Sequence, residues 1–143
     1  WRLAINTTSR ERKRTLGDDL FQTGLDNRKA VLGGDYVESV LAQADDFSRL
    51  FQEQMTAWCW GFGWGDDTLD KKTRSMLNLT MIAALNRMHE WELHLRGAIT
   101  NGVSREELRS ILHVIAIYCG VPAGVECFRI AKRVFAEIDA KEG

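Results

Sequence analysis

The sequence predicts an all-α fold, and three observations carry that prediction. Apolar residues recur at three- and four-residue spacing over most of the chain, no stretch alternates convincingly with period two, and one proline stands in 143 residues. Such periodicity turns one stripe of each helix toward a core, and scarcity of proline favours long helices over a loop-rich sandwich. About six helices are expected. Leu20, Phe21 and Leu25 fit a first, starting near Leu16 and ending near Gly33-Gly34, where glycine can adopt the left-handed conformation of a helix end. A second runs from about Val37 through Phe47, Leu50 and Phe51 towards Trp58. The stretch Trp58-Cys59-Trp60-Gly61-Phe62-Gly63-Trp64-Gly65 is expected to break the helix, because glycine is a poor helix former.

A third helix begins near Asp70 and carries Met76, Leu77, Leu79, Ile82, Ala83 and Leu85; a fourth spans about Met88 to Thr100 and stops at Asn101-Gly102. The fifth has the clearest start, Ser104 with Glu107 three residues on, a capping box. Leu108, Ile111, Leu112, Ile115, Ala116 and Cys119 form its apolar stripe, and Val114, Ile117 and Tyr118 extend the apolar character to the other side. A helix apolar nearly all round predicts burial on several faces, in a centre or a subunit interface. Gly120 ends it, and Pro122 suits the first turn of a sixth helix carrying Phe128, Ala131, Val134, Phe135 and Ile138.

The length suits one domain, assigned to residues 16–143, with residues 1–15 read as a tail or an arm on a neighbour. Hydrophobic residues make up 45% and charged residues 27%, a globular composition, and 19 basic against 20 acidic side chains leave a formal charge of −1. That balance gives no electrostatic case for nucleic acid or an anionic membrane, and no run of about 18 apolar residues offers a membrane span. Cys59, Cys119 and Cys127 are odd in number and hold no C-x-x-C spacing, which excludes a disulfide framework and a four-thiolate zinc site. Reduced thiols and a cytoplasmic location are expected. No signal-peptide pattern is visible; the sequence opens at Trp1 without methionine, so removal of an upstream segment stays open.

The fourth helix carries the chemistry. Trp91, Leu95 and Ala98 make its core stripe, and Glu90, His94 and Gly97 fall on the neighbouring one. A carboxylate and an imidazole one turn apart can share a proton, and the missing side chain at Gly97 leaves room beside them; such pairs are also common on ordinary helix surfaces. The carboxylate raises the imidazole pKa and burial lowers it, a contest the sequence does not decide. His89 and His94 are five residues apart, not the four that a helical zinc motif needs, so no metal site is expected. His113 is expected as a core or interface residue, or as a second imidazole of the same pocket if the fourth and fifth helices pack together. Arg74, Arg87 and Arg96 are candidate carboxylate anchors, salt bridges being the commoner fate of arginine. Trp58, Trp60 and Trp64 fit either a pocket wall or a core.

Taken in order, Gly24-x-x-x-Arg28-x-x-Val31-Leu32-Gly33, Thr73-Arg74-Ser75, Glu90-x-x-x-His94-x-Arg96, Asn101-Gly102-Val103-Ser104-x-Glu106-Glu107 and Tyr118-Cys119-Gly120-Val121-Pro122-Ala123 resemble the carboxymuconolactone decarboxylase family over nearly all of residues 19–138. Within it, the γ-carboxymuconolactone decarboxylase branch is the most similar. The resemblance implies an alkylhydroperoxidase D-like helical subunit assembled as a homo-oligomer, a trimer or a hexamer. The thiol peroxidases of that superfamily place a Cys-x-x-Cys pair before the histidine; here Arg87 and Glu90 hold those places, which removes the two sulfurs such chemistry requires. Where the decarboxylase branch has Trp-x-Arg-Pro-Gly-Leu, this chain reads Trp64-Gly65-Asp66-Asp67-Thr68-Leu69, so a carboxylate replaces an arginine.

The implied activity is cofactor-independent decarboxylation of a small carboxylated unsaturated lactone, of the 4-carboxymuconolactone type met in aromatic catabolism through the protocatechuate/β-ketoadipate route. The lactone carbonyl accepts the electron pair left by carbon dioxide, so no cofactor is demanded. His94 is expected as proton donor or carbonyl stabiliser, Glu90 as its partner, Arg74 or Arg96 as carboxylate anchor, and Trp64 and His113 as further binding residues. Two rivals stand beside it: a related lactone or enol reaction on another metabolite, suggested by Asp66, and a non-catalytic oligomeric small-molecule-binding protein.

Overall fold

The computed structural model describes the chain from Ser9 to Gly143, with side chains from Asp19 onward. The described residues are helical with no strand, as the periodicity predicts, and they divide between Asp67 and Thr68 into two compact units.

In the first unit α1 spans Ser9–Leu32, α2 Gly34–Ala42 and α3 Arg49–Met55, and α3 runs without a break into a π-helical segment, Thr56–Gly63. The expected arm lies partly outside the described residues; from Ser9 on it belongs to α1, ahead of the apolar pattern that starts at Leu16. Gly33, at φ 94°, turns the chain from α1 into α2, a conformation that glycine adopts without steric cost. The single helix expected from Val37 to Trp58 is two. Asp45 stops it: its carboxylate accepts from the Ser48 amide at 3.0 Å and from the Ser48 hydroxyl at 2.8 Å, a local turn that competes with the helical ladder.

The glycine-rich aromatic stretch does not break the helix. It widens into the π segment, where the Trp64 amide reaches back to the Cys59 carbonyl at 3.0 Å. Its glycines serve close approach to α1. A Cβ on Gly61 would strike the Leu20 carbonyl oxygen, and one on Gly24 the Thr56 carbonyl oxygen. Asn27 Nδ2 donates to the Trp60 carbonyl at 3.1 Å across the same contact, and Val31, Trp60 and Trp64 form a small core beside it.

In the second unit α4 spans Lys71–Ala84, α5 Met88–Thr100, α6 Arg105–Tyr118 and α7 Val121–Glu142. Asp70 caps α4 by accepting from the Thr73 amide at 2.7 Å. Ser104 and Glu107 make the expected box on α6, at 3.1 Å and 2.8 Å. Gly120, at φ 97°, separates α6 from α7, whose first turn holds Pro122. Helix α4 packs on α5 and α6, and α7 on α6 and α5. Leu79, Trp91, Leu95, Leu108, Leu112, Ile115, Cys127, Ile130 and Val134 fill the centre. Trp91 also donates its indole N–H to the Leu79 carbonyl at 3.1 Å, so its one polar atom is satisfied inside. Helix α6 buries Leu108, Leu112 and Ile115, while Val114, Ile117 and Tyr118 are exposed; burial on several faces is not met within one protomer.

Candidate active site

Helix α5 is laid down as its pattern predicts. Trp91, Leu95 and Ala98 are buried, which turns the adjoining stripe toward the edge of the core. Glu90 stands exposed in the first turn, His94 is half-buried one turn later, and Gly97 is buried. Desolvation pushes the His94 imidazole below its ordinary value of 6.5, and the charge of Glu90 only partly restores it. Burial therefore wins the contest left open by the sequence, and the imidazole is neutral near pH 7. A neutral imidazole next to a carboxylate acts as a hydrogen-bond donor or a base rather than as a standing cation.

The other candidates divide. Arg96 is held by two carboxylates, Glu92 at 3.0 Å and Glu137 at 2.5 Å, and Arg133 joins the group by reaching Glu92 at 2.6 Å. Its hydrogen bond to Glu137 raises its pKa further, so the expected anchor is a strut joining α5 to α7. Arg74 is half-buried on α4 and donates to the Leu69 carbonyl at 3.3 Å. Arg87 is the exposed residue before α5. His113 is exposed on α6 with its ring 5.8 Å from that of Phe128, so it is no core residue of the protomer, and α6 packs on α4 and α7. Among the described residues no three His, Cys, Asp or Glu side chains gather as a metal site would require.

The tryptophans of the first unit also divide. Trp64 is 5% exposed and stacks on Trp60 at 5.0 Å, so it is core and not a pocket wall. Trp58, stacked on Phe62 at 4.9 Å, instead borders an open cleft of ≈ 370 Å³ with Phe51, Gln54, Met55 and Cys59. Beneath lies a residue that sequence reasoning passed over: Arg28, 4% exposed, with Nη1 donating to Thr56 Oγ1 at 3.0 Å. Its signal was present, since Gly24, Arg28 and Val31 stand at i, i+4 and i+7 and all three are buried.

With this geometry in place, comparison gives the class. Residues 49–133 match the model of the carboxymuconolactone decarboxylase family, and the chain belongs to that family. Two relatives give the range of chemistry within it. Nitrosuccinic acid decarboxylase npaB of Metarhizium robertsii is 40% identical over 119 residues, covering 83% of each chain. The 4-carboxymuconolactone decarboxylase of Acinetobacter baylyi is 32% identical over 118 residues, covering 82% of this chain and 88% of its own. Both relatives are decarboxylases, and no described helix of this chain is long and apolar enough to cross a membrane.

Proposed function

We propose that this protein decarboxylates a small organic acid whose carboxylate is next to an electron-accepting oxygen group, with Glu90 and His94 at the reacting centre. The carrying observation is the half-buried, neutral imidazole of His94 with a carboxylate one turn before it. Cleavage of the C–C bond releases carbon dioxide and leaves an electron pair, which a conjugated lactone carbonyl takes up as a dienolate or a nitro group as a nitronate. The His94 N–H is suited to that oxygen as its negative charge grows, and the Glu90 carboxylate supports the polarised imidazole. One proton, ultimately from water, then adds to carbon. The atoms balance as carboxylate plus proton giving carbon dioxide plus the protonated product.

The two relatives support two substrates of this class. Greater identity to the nitrosuccinic acid enzyme, together with Asp66 in place of an arginine, makes an α-nitro acid the first to try and 4-carboxymuconolactone the second. Incubating purified protein with each acid, and following carbon dioxide release with proton resonance of the product, is the direct test. Turnover of one that collapses in His94→Gln supports the reading; ligand-induced melting shifts without turnover would establish the non-catalytic alternative. The reading extends to self-association, supported by the exposed Val114, Ile117, Tyr118, Val121 and Val125 of α6 and α7. Light scattering of a 16.3 kDa monomer at micromolar concentration would overturn that part.

A further inference from the structure

Arg28 is the one charged side chain buried among the described residues. A guanidinium keeps its proton at any working pH, so its charge enters the interior with it. What it receives there is a single bond to the neutral Thr56 hydroxyl; no described carboxylate pairs with it, and its Nε–H is buried without an acceptor. Gln52 lies one turn before Thr56 on the same face, and its side-chain oxygen is likewise buried without a partner. An amide can turn to present its NH2 instead, so the face offers the guanidinium fork, a hydroxyl and an amide donor.

Burial presses the Arg28 pKa down, opposed by Tyr36 and Cys59, and the Arg28 charge in turn works against the desolvation that raises the Cys59 thiol. Arg28 thus acts on the residue that borders the open cleft of Phe51, Met55 and Trp58. A buried cation without counter-charge is costly, and two unmet polar groups add to the cost. A strut between α1 and the π segment would need only the Thr56 bond, which a neutral donor could make. A carboxylate meets what remains: it neutralises the charge and accepts in the fork geometry.

We propose that Arg28, with Thr56 and Gln52, forms a binding site for the carboxylate group of a small organic acid whose apolar body occupies the cleft beside Cys59 and Trp58. The site is argued from binding alone and does not rest on the decarboxylation chemistry.

Succinate is the probe and succinamide its neutral counterpart, in a Cys119→Ser background so that Cys59 is the one exposed thiol. Succinate is expected to slow Cys59 alkylation about tenfold at ten times its dissociation constant and to raise the melting temperature, while succinamide does neither. Arg28→Met should abolish both responses, and His94→Gln should keep both. Retention of the response in a folded Arg28→Met protein would overturn the site. If Arg28→Met does not fold, the parent protein decides: equal effects of succinate and succinamide, or no effect of either on Cys59, overturn it. Turnover without these responses would leave the decarboxylase reading standing alone, and these responses without turnover on any acid the reverse.

Discussion

The two units bring helices together by opposite means. In the first, α1 and the π segment meet where side chains are missing, so that backbone rests on backbone at Gly24 and Gly61. In the second, α5 meets α4 and α7 through large side chains, Trp91 and Leu95 among them, with no accessible surface left. The first contact has no room for an added carbon, whereas the second depends on every carbon it has. The first also encloses a guanidinium with one neutral partner, while the second leaves Arg96 at its edge with two carboxylates.

That contrast breaks most easily at Gly61. Gly61→Ala forces Leu20's backbone away and should cost about 4 kcal/mol in urea unfolding; a loss under about 1 kcal/mol would mean α1 shifts freely and the backbone contact has no special standing. Removing carbon from the other unit, Leu95→Ala, should cost about 3 kcal/mol by cavity formation. The next largest effect separates chemistry from packing: His94→Gln should lower turnover by about 100-fold while leaving the melting temperature near its starting value. The same imidazole gives a pH signature. Its folded pKa lies below 6.5, so the unfolded chain binds the proton first, and stability should fall as pH drops through 6.5 toward the folded value. His94→Gln should flatten that slope in acid titration monitored by circular dichroism.

Smaller effects sharpen the picture. Ser104→Ala removes the oxygen that accepts from Glu107 and should cost about 1 kcal/mol. His113→Gln changes an exposed ring and should stay within about 0.5 kcal/mol in thermal melts, with turnover unchanged.

The second unit was the more legible of the two. Its helices are set by signals that act within a few residues: the Asp70 and Ser104 caps, the Gly120 turn, and the stripe of Trp91, Leu95 and Ala98. In the first unit the determinants act over longer separations. Leu50 and Phe51 continue the apolar rhythm of α2, yet both are exposed, and the break comes from Asp45 bonding to Ser48. The glycines after Trp60 read as helix breakers because their partner, Leu20, stands forty-one residues earlier. Arg28 was quoted only as part of a motif, since its burial depends on that same distant contact. Of the site residues, Glu90 and His94 fall on one stripe of α5 as their spacing requires. Arg96 differs because Glu137, on another helix, claims it.

The π segment has a consequence for how this chain can vary in length. A ladder that reaches back five residues holds one residue more per closed ring than an α-helix does, as the Trp64–Cys59 bond shows. Loss of any single residue between Thr56 and Gly63 would let the ordinary ladder re-form and turn everything beyond it by about 100°. Trp64 would then leave the stack with Trp60, and Gly61 or its replacement would no longer face Leu20. Residue identity along this stretch is open to exchange at exposed positions such as Trp58 and Phe62. Its residue number is not: descendants of this chain can respell the segment, but they inherit its length.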